Sequence, residues 1–220
     1  MGRKILQRTD VYPYHVNVRT NNGEFFPITL EKVWDLMCNE FSYSQKKYGV
    51  DIISFVMMSN HLHLIVSTPN MNLDLFMALS LRQISRNIGS ISNKSNHLFG
   101  NRYHWSIVKN ELYFSNVYRY VFQNPIYAGI SKKVEQYRFS TLYYEHNNKA
   151  LPLHLCPIPV QNEFMVPQQY GRRIQWLNEV FPETKQKLIE IGLRNPEFYL
   201  PSTEALKPFD FKNKFSTDRK

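Results

Sequence analysis

The sequence predicts an α+β domain, a ferredoxin-like βαββαβ antiparallel sheet with a further helix after it and a small, mostly helical or irregular C-terminal extension. Three observations carry this. Four short stretches are alternating or β-branched, and three longer ones repeat apolar residues at helical spacing. Their order is β-α-β-β-α-β-α, and the first six match the split βαβ pattern. With 220 residues, 43% of them hydrophobic, the chain can bury one core of ordinary size and carry an extension.

The elements follow in order. "PYHVNVRT" (13–20) alternates and reads as a strand; "NNGEFFP" (21–27) is turn-rich. In "TLEKVWDLMCNEFSYSQKKYG" (29–49) apolar residues fall at 33, 36, 37 and 41, with Thr29 as the cap and Gly49 as the stop. "VDIISFVMM" (50–58) and "HLHLIVS" (61–67) are strands joined at Ser59-Asn60 in a tight hairpin. "MNLDLFMALSLRQISRNIG" (71–89) is a helix ending at a glycine, before the polar loop "SISNKSN" (90–96). "RYHWSIVK" (102–109) is the fourth strand. "ELYFSNVYRYVFQN" (111–124) is the further helix, with Pro125 expected to break it.

Beyond residue 150 the character changes. Four of the 12 prolines fall in "LPLHLCPIPVQNEFMVP" (151–167), which reads as an extended linker. Apolar periodicity in 170–193 predicts two short helices packed on the core or a partner, because a lone helix that short is marginal in water. The expected division is therefore 1–150 and 151–220.

Charge points to a partner class. Lys and Arg outnumber Asp and Glu by 27 to 18, a net +9. Residues 1–150 hold 17 basic against 10 acidic residues (+7), and 151–220 hold 10 against 8 (+2). A basic surplus on the main domain suits phosphates, whose neutralisation releases counterions, although a merely soluble basic surface has the same count. Two cysteines make neither a disulfide framework nor a four-cysteine zinc site and fit a reducing cytosol. No signal peptide and no membrane span is expected, so the location read from the sequence is cytoplasmic.

Three groups carry candidate chemistry. His61 and His63 stand two apart on a strand, hence on one face, where two neutral imidazoles bind a divalent metal if a further ligand is supplied. Sheet-face histidines held by hydrogen bonds have the same spacing. Tyr120 and Asn124 lie at i, i+4 on one helix face, a nucleophile and an oxygen ligand; Tyr113, Tyr118 and Tyr127 are rival tyrosines. "FGNRYHW" (99–105), with His97 before it, alternates Arg102 and His104 with Tyr103 and Trp105, a pattern for phosphate contact and base stacking and equally for an amphipathic strand.

Three segments together resemble the single-tyrosine HUH transposases, in particular the REP-associated tyrosine transposase branch. They are "VMMSNHLHLIV", "HLFGNRYHWSIVKNELYFSNVYRYVFQNPIYAGI" and "YRFSTLYYE", spread over roughly residues 11–145. The histidine–hydrophobic–histidine motif is His61-Leu62-His63, and the tyrosine four residues before Asn-Pro is Tyr120. The chain departs from the pattern at Ser59, at His104 and at Tyr127, positions of turn geometry and DNA contact. The resemblance implies catalysis by Tyr120, a Mg2+ or Mn2+ ion on His61, His63 and Asn124, and DNA contacts from Arg102, Tyr103, His104 and Arg119. It implies nicking and rejoining of single-stranded or hairpin DNA through a covalent 5′-phosphotyrosine, in a bacterial nucleoid-associated protein that acts alone or as a homodimer.

Helix geometry supports Tyr120 among the four. Tyr118 points about 200° away, and Tyr113 lies about 16 Å along the axis from Asn124. Tyr127 follows the expected break. Two rival classes remain at this level: a non-catalytic nucleic-acid binder on the same βαββαβ sheet, and a histidine–metal hydrolase. The first lacks the aromatic ribonucleoprotein signature, and the second lacks HExxH or a cysteine cluster.

Overall fold

A computed structural model of the chain describes residues 5–93, 98–100, 102–160 and 162–203. Strands β1 (Tyr14–Arg19), β2 (Asp51–Met57), β3 (His61–Ser67) and β4 (His104–Ile107) form one antiparallel sheet in the order β2-β3-β1-β4. Helices α1 (Leu30–Tyr48) and α2 (Leu73–Ser92) are the two crossovers, and α3 (Glu111–Tyr127) follows β4. That is the expected ferredoxin-like arrangement. Short helices α4 (Thr141–His146), α5 (Tyr170–Asn178) and α6 (Glu183–Gly192) complete the described chain.

Alternation along the strands builds two different faces. Tyr14, Val16 and Val18 of β1 and Leu62, Leu64 and Val66 of β3 join a core with α1 and α2. Trp34 of α1 stacks on Phe55 of β2 with ring centroids 4.7 Å apart. The intervening residues of β1, His15, Asn17 and Arg19, pair in register with Ile65, His63 and His61. Antiparallel partners share a face, so one sheet face carries a polar strip instead of a second apolar layer. Where that face is apolar, Val56 and Ile65 join Phe114, Val117 and Val121 of α3 in a second core, completed by Leu177, Phe181 and Ile189 from the C-terminal extension.

The two helices expected in 170–193 are α5 and α6, and both pack on α3. Gln123 is wholly buried there; its Nε2 donates to the Leu177 carbonyl at 2.8 Å, and its Oε1 accepts from the Phe181 amide at 3.2 Å. The extension also bonds to the sheet at both edges. Cys156 N–H donates to Ile52 O of β2 (2.8 Å), and on β4 Ile107 N–H donates to Pro196 O and Phe198 N–H to Ile107 O, each 2.8 Å. "YRFSTLYYE" serves the β2 edge too: Met57 N–H donates to Phe139 O (2.9 Å) and Tyr137 Oη to Met57 O (2.8 Å).

Three boundaries differ from the expectation. The helix does not break at Pro125: α3 runs through it to Tyr127. The proline stands in the last turn, where its missing N–H removes a single helical bond, and Ala128 N–H still reaches Asn124 O at 3.0 Å. Helix α2 passes Gly89 and stops at Asn93, which takes the left-handed conformation (φ 53°); buried Ile84 and Ile88 outweigh the roughly 1 kcal/mol cost of a helical glycine. Strand β4 covers only four residues of the eight expected. At Gly49 the expectation holds: φ is 63°, and its N–H closes α1 on Gln45 O at 2.9 Å.

Candidate active site

The hairpin turn sets the first histidine. Asn60 Nδ2 donates to Gly23 O at 2.8 Å, which fixes the amide so that Oδ1 faces His61 Nδ1 at 2.7 Å. Two residues on, His63 is 3% exposed, its ring centroid 5.1 Å from that of His61. The shared face read from the spacing is therefore the face the strand presents.

Helix α3 crosses this strip. Its N-terminus is capped by Asn110, whose side chain accepts from Tyr113 N–H at 2.8 Å. Three turns on, the Tyr120 ring meets His63 edge-on, centroids 5.6 Å apart, and His15 at 6.1 Å. Of the four tyrosines, this one reaches the histidines. Tyr118 stacks on Phe114, Tyr113 meets Phe198, and the Tyr127 hydroxyl donates to the Phe181 carbonyl. Asn124 stays beside Tyr120, its Nδ2 donating to the Tyr120 carbonyl at 2.7 Å.

Burial sets the ionisation. It holds His15 neutral, with its pKa down to about 3, and with the neighbouring histidines it holds His63 well below the usual imidazole range. Neutral imidazoles are the ligand form. Burial also pushes the Tyr120 phenol up; Glu190 of α6 adds to this, and a hydrogen bond from the Asn124 side chain pulls the other way. Tyr120 is 6% exposed and shares its apolar cluster with Ile189 of α6 and Leu193 just after it.

In metal-free buffer the buried histidines make stability depend on pH. Above about 6.5 they are neutral folded and unfolded. Below that the unfolded chain takes up protons that the folded chain refuses, so stability falls as pH drops from about 6.5 towards 3. For His15 alone the loss reaches roughly 3 kcal/mol by pH about 4.5. Urea unfolding of wild type and His15→Phe across this range checks it: the variant loses less stability on acidification.

The donor set fits a hard or borderline divalent ion in part. His61 and His63 supply two nitrogens, and the Asn124 amide is an oxygen donor beside Tyr120 on α3. Among the described residues no three His, Cys, Asp or Glu side chains converge on a metal position. Further ligands have to be the amide, water or a phosphate oxygen.

The DNA-contact expectations separate. Arg102 is exposed two residues before β4, and His104, exposed at the start of β4, pairs with Asn17 on the histidine face. Tyr103 packs on the first core, and burial raises its phenol to about 12. Arg119 does not join them. Its guanidinium lies 4.1 Å from the Phe181 ring centroid and 5.0 Å from that of Trp176, and it donates to the Glu179 carbonyl, so it holds the extension to α3. His97 lies outside the described residues.

The sequence reading missed three residues on this face: His15, Asn17 and Arg19. The signal was available, since "YHVNVR" puts three polar side chains at every second position of a strand whose other residues are apolar.

The family model for IS200-like transposases matches residues 12–124, just over half of the chain, with all of the strip and α3 as far as Asn124. The chain belongs to the IS200-like transposase family. It is thus a transposase-type enzyme by descent. Among solved structures, a REP-associated tyrosine transposase bound to a REP hairpin matches with a TM-score of 0.56 at 14% identity, covering 72% of this chain and 96% of that one. Likeness at that identity shows the shared fold. A candidate transposase from Deinococcus radiodurans R1 matches at 15% identity with a TM-score of 0.38, covering 68% of this chain and 98% of that one. No curated protein matches. No described helix of the transposase is long and apolar enough to cross a membrane.

Proposed function

We propose that the chain nicks and rejoins single-stranded DNA, presented at a hairpin or repeat, through a covalent phosphotyrosine on Tyr120. The observation that supports this most is the Tyr120 ring set against His63 on the polar strip of an IS200-like transposase. The phenol oxygen forms a bond to phosphorus, the bond from phosphorus to the 3′-oxygen breaks, and the 3′-oxygen leaves as a hydroxyl after taking a proton. The phosphodiester survives as a tyrosyl ester, so the step reverses without a nucleotide cofactor.

His61, His63 and Asn124 are the residues proposed to hold Mg2+ or Mn2+. When bound, such an ion offsets charge on the scissile phosphate and orients it for in-line attack. Tyr120 supplies the nucleophile from a rigid helix. Because the neutral phenol is buried and its pKa is raised, the DNA-bound state must open the α6 side enough to admit a phosphate and to let the proton leave. Incubating the protein with a 3′-labelled hairpin oligonucleotide and Mn2+ tests the reading. It predicts a labelled band at protein-plus-DNA mass on a denaturing gel and release of a fragment ending in a 3′-hydroxyl. Binding without any adduct would leave a non-catalytic DNA binder.

Arg102 and His104 are proposed to contact the DNA backbone. Arg102→Ala is expected to weaken hairpin binding at every sequence and to lower the slope of log affinity against log salt by about 1. Fluorescence anisotropy from about 50 to 200 mM salt reads it, and an unchanged slope would remove Arg102 from the interface.

A further inference from the structure

We infer that His15, from the strand next to the histidine motif, is a positioning residue that sets which nitrogen of His63 carries a proton. The inference rests on the proposed metal role of His61 and His63. His15 Nε2 lies 3.0 Å from His63 Nδ1, and both rings are 3% exposed. Two neutral imidazoles at that distance need one donor and one acceptor. If His15 donates, His63 carries its proton on Nε2, and neither of its nitrogens is left to ligate. If His63 donates from Nδ1, its Nε2 keeps the lone pair.

His61 shows which arrangement the site is built for. Its Nδ1 faces Asn60 Oδ1, an acceptor only, and the amide cannot be turned over because Nδ2 is spent on Gly23 O. His61 is therefore protonated on Nδ1. His63 has its Nδ1 engaged in the same way, with a histidine in place of the asparagine. Asn17 flanks the His63 ring at 3.4 and 3.5 Å from its two nitrogens, but its short bond, 3.1 Å, goes to Leu62 O, so it does not choose between them. The Tyr120 ring packs edge-on against both histidines, its centroid 6.1 Å from that of His15 and 5.6 Å from that of His63. Tyr120 thus covers the contact between the two imidazoles, which helps keep His15 Nε2 on His63. A partner on the second nitrogen is the usual device for fixing a ligating imidazole.

The test has two readouts. Long-range proton–nitrogen spectra of the metal-free wild type should show His63 with a protonated Nδ1 and a bare Nε2. Mn2+ titration followed by electron paramagnetic resonance should show a loss of about 10–100-fold in affinity for His15→Phe. His15→Gln, whose amide oxygen can accept from Nδ1–H, should recover most of that loss, which a purely packing role would not explain. Thermal unfolding of both variants checks that they fold, and His61→Ala serves as the ligand control. A proton on His63 Nε2 in the wild type overturns the inference, as does wild-type Mn2+ affinity in His15→Phe while His61→Ala is impaired. If His61→Ala binds Mn2+ as tightly as wild type, the metal reading itself falls and the inference with it; the spectra show which of the two failed.

Discussion

Tyr120→Phe is expected to abolish both cleavage and the covalent adduct while the fold and hairpin binding persist. The substitution removes one hydroxyl and keeps the ring that packs on His63 and His15. Losing a buried hydroxyl's hydrogen bond costs about 1 kcal/mol of stability, far too little to unfold a domain. Loss of the nucleophile, by contrast, removes the reaction path. None of the three rival tyrosines can substitute, because Tyr113, Tyr118 and Tyr127 are engaged with Phe198, Phe114 and the Phe181 carbonyl. Denaturing gels with a Mn2+-supplied hairpin, beside anisotropy for binding and a melting curve for fold, read all three quantities. An adduct formed by Tyr120→Phe would place the nucleophile elsewhere.

Truncation after residue 150 is expected to destroy the folded state rather than leave an active core. It uncovers α3, whose Val117 and Val121 pack with the wholly buried Leu177 and Ile189 in one cluster. A large side chain buried on folding contributes about 1.5–3 kcal/mol. Losing four or five such contacts approaches the roughly 5–15 kcal/mol that holds a domain together. The same cut orphans both ends of the buried Gln123 side chain and strips Arg119 of Trp176, Glu179 and Phe181. A smaller change tests the same packing: Leu177→Ala should cost about 2–5 kcal/mol without touching the histidines. Urea unfolding measures both variants. A truncated chain that melts cooperatively at the wild-type temperature and forms the adduct would show that the extension is an appendage.

Much of this protein was legible in one dimension because the governing interactions are local. Strand alternation put His61 and His63 on one face, and four-residue helical spacing put Asn124 beside Tyr120. Ser59-Asn60 marked the hairpin and Gly49 the end of α1, each a property of a few adjacent backbone angles. The order of these elements, with the short links between them, led to the βαββαβ sheet. What stayed hidden depended on contacts between residues distant in sequence. His15 reaches His63 only after β1 inserts between β3 and β4, a separation of 48 residues. Arg119 resembled a free cation beside Tyr120 until α5 and the segment after it came to lie across α3. Pro125 resembled a helix end because proline forfeits a backbone bond, but its own burial in the last turn, where only one bond is lost, outweighed that local cost. Periodicity reports which face a residue occupies, since it depends on backbone geometry alone. Which distant element covers that face, and so whether a side chain meets DNA, a ligand or the core, is decided only by the three-dimensional packing.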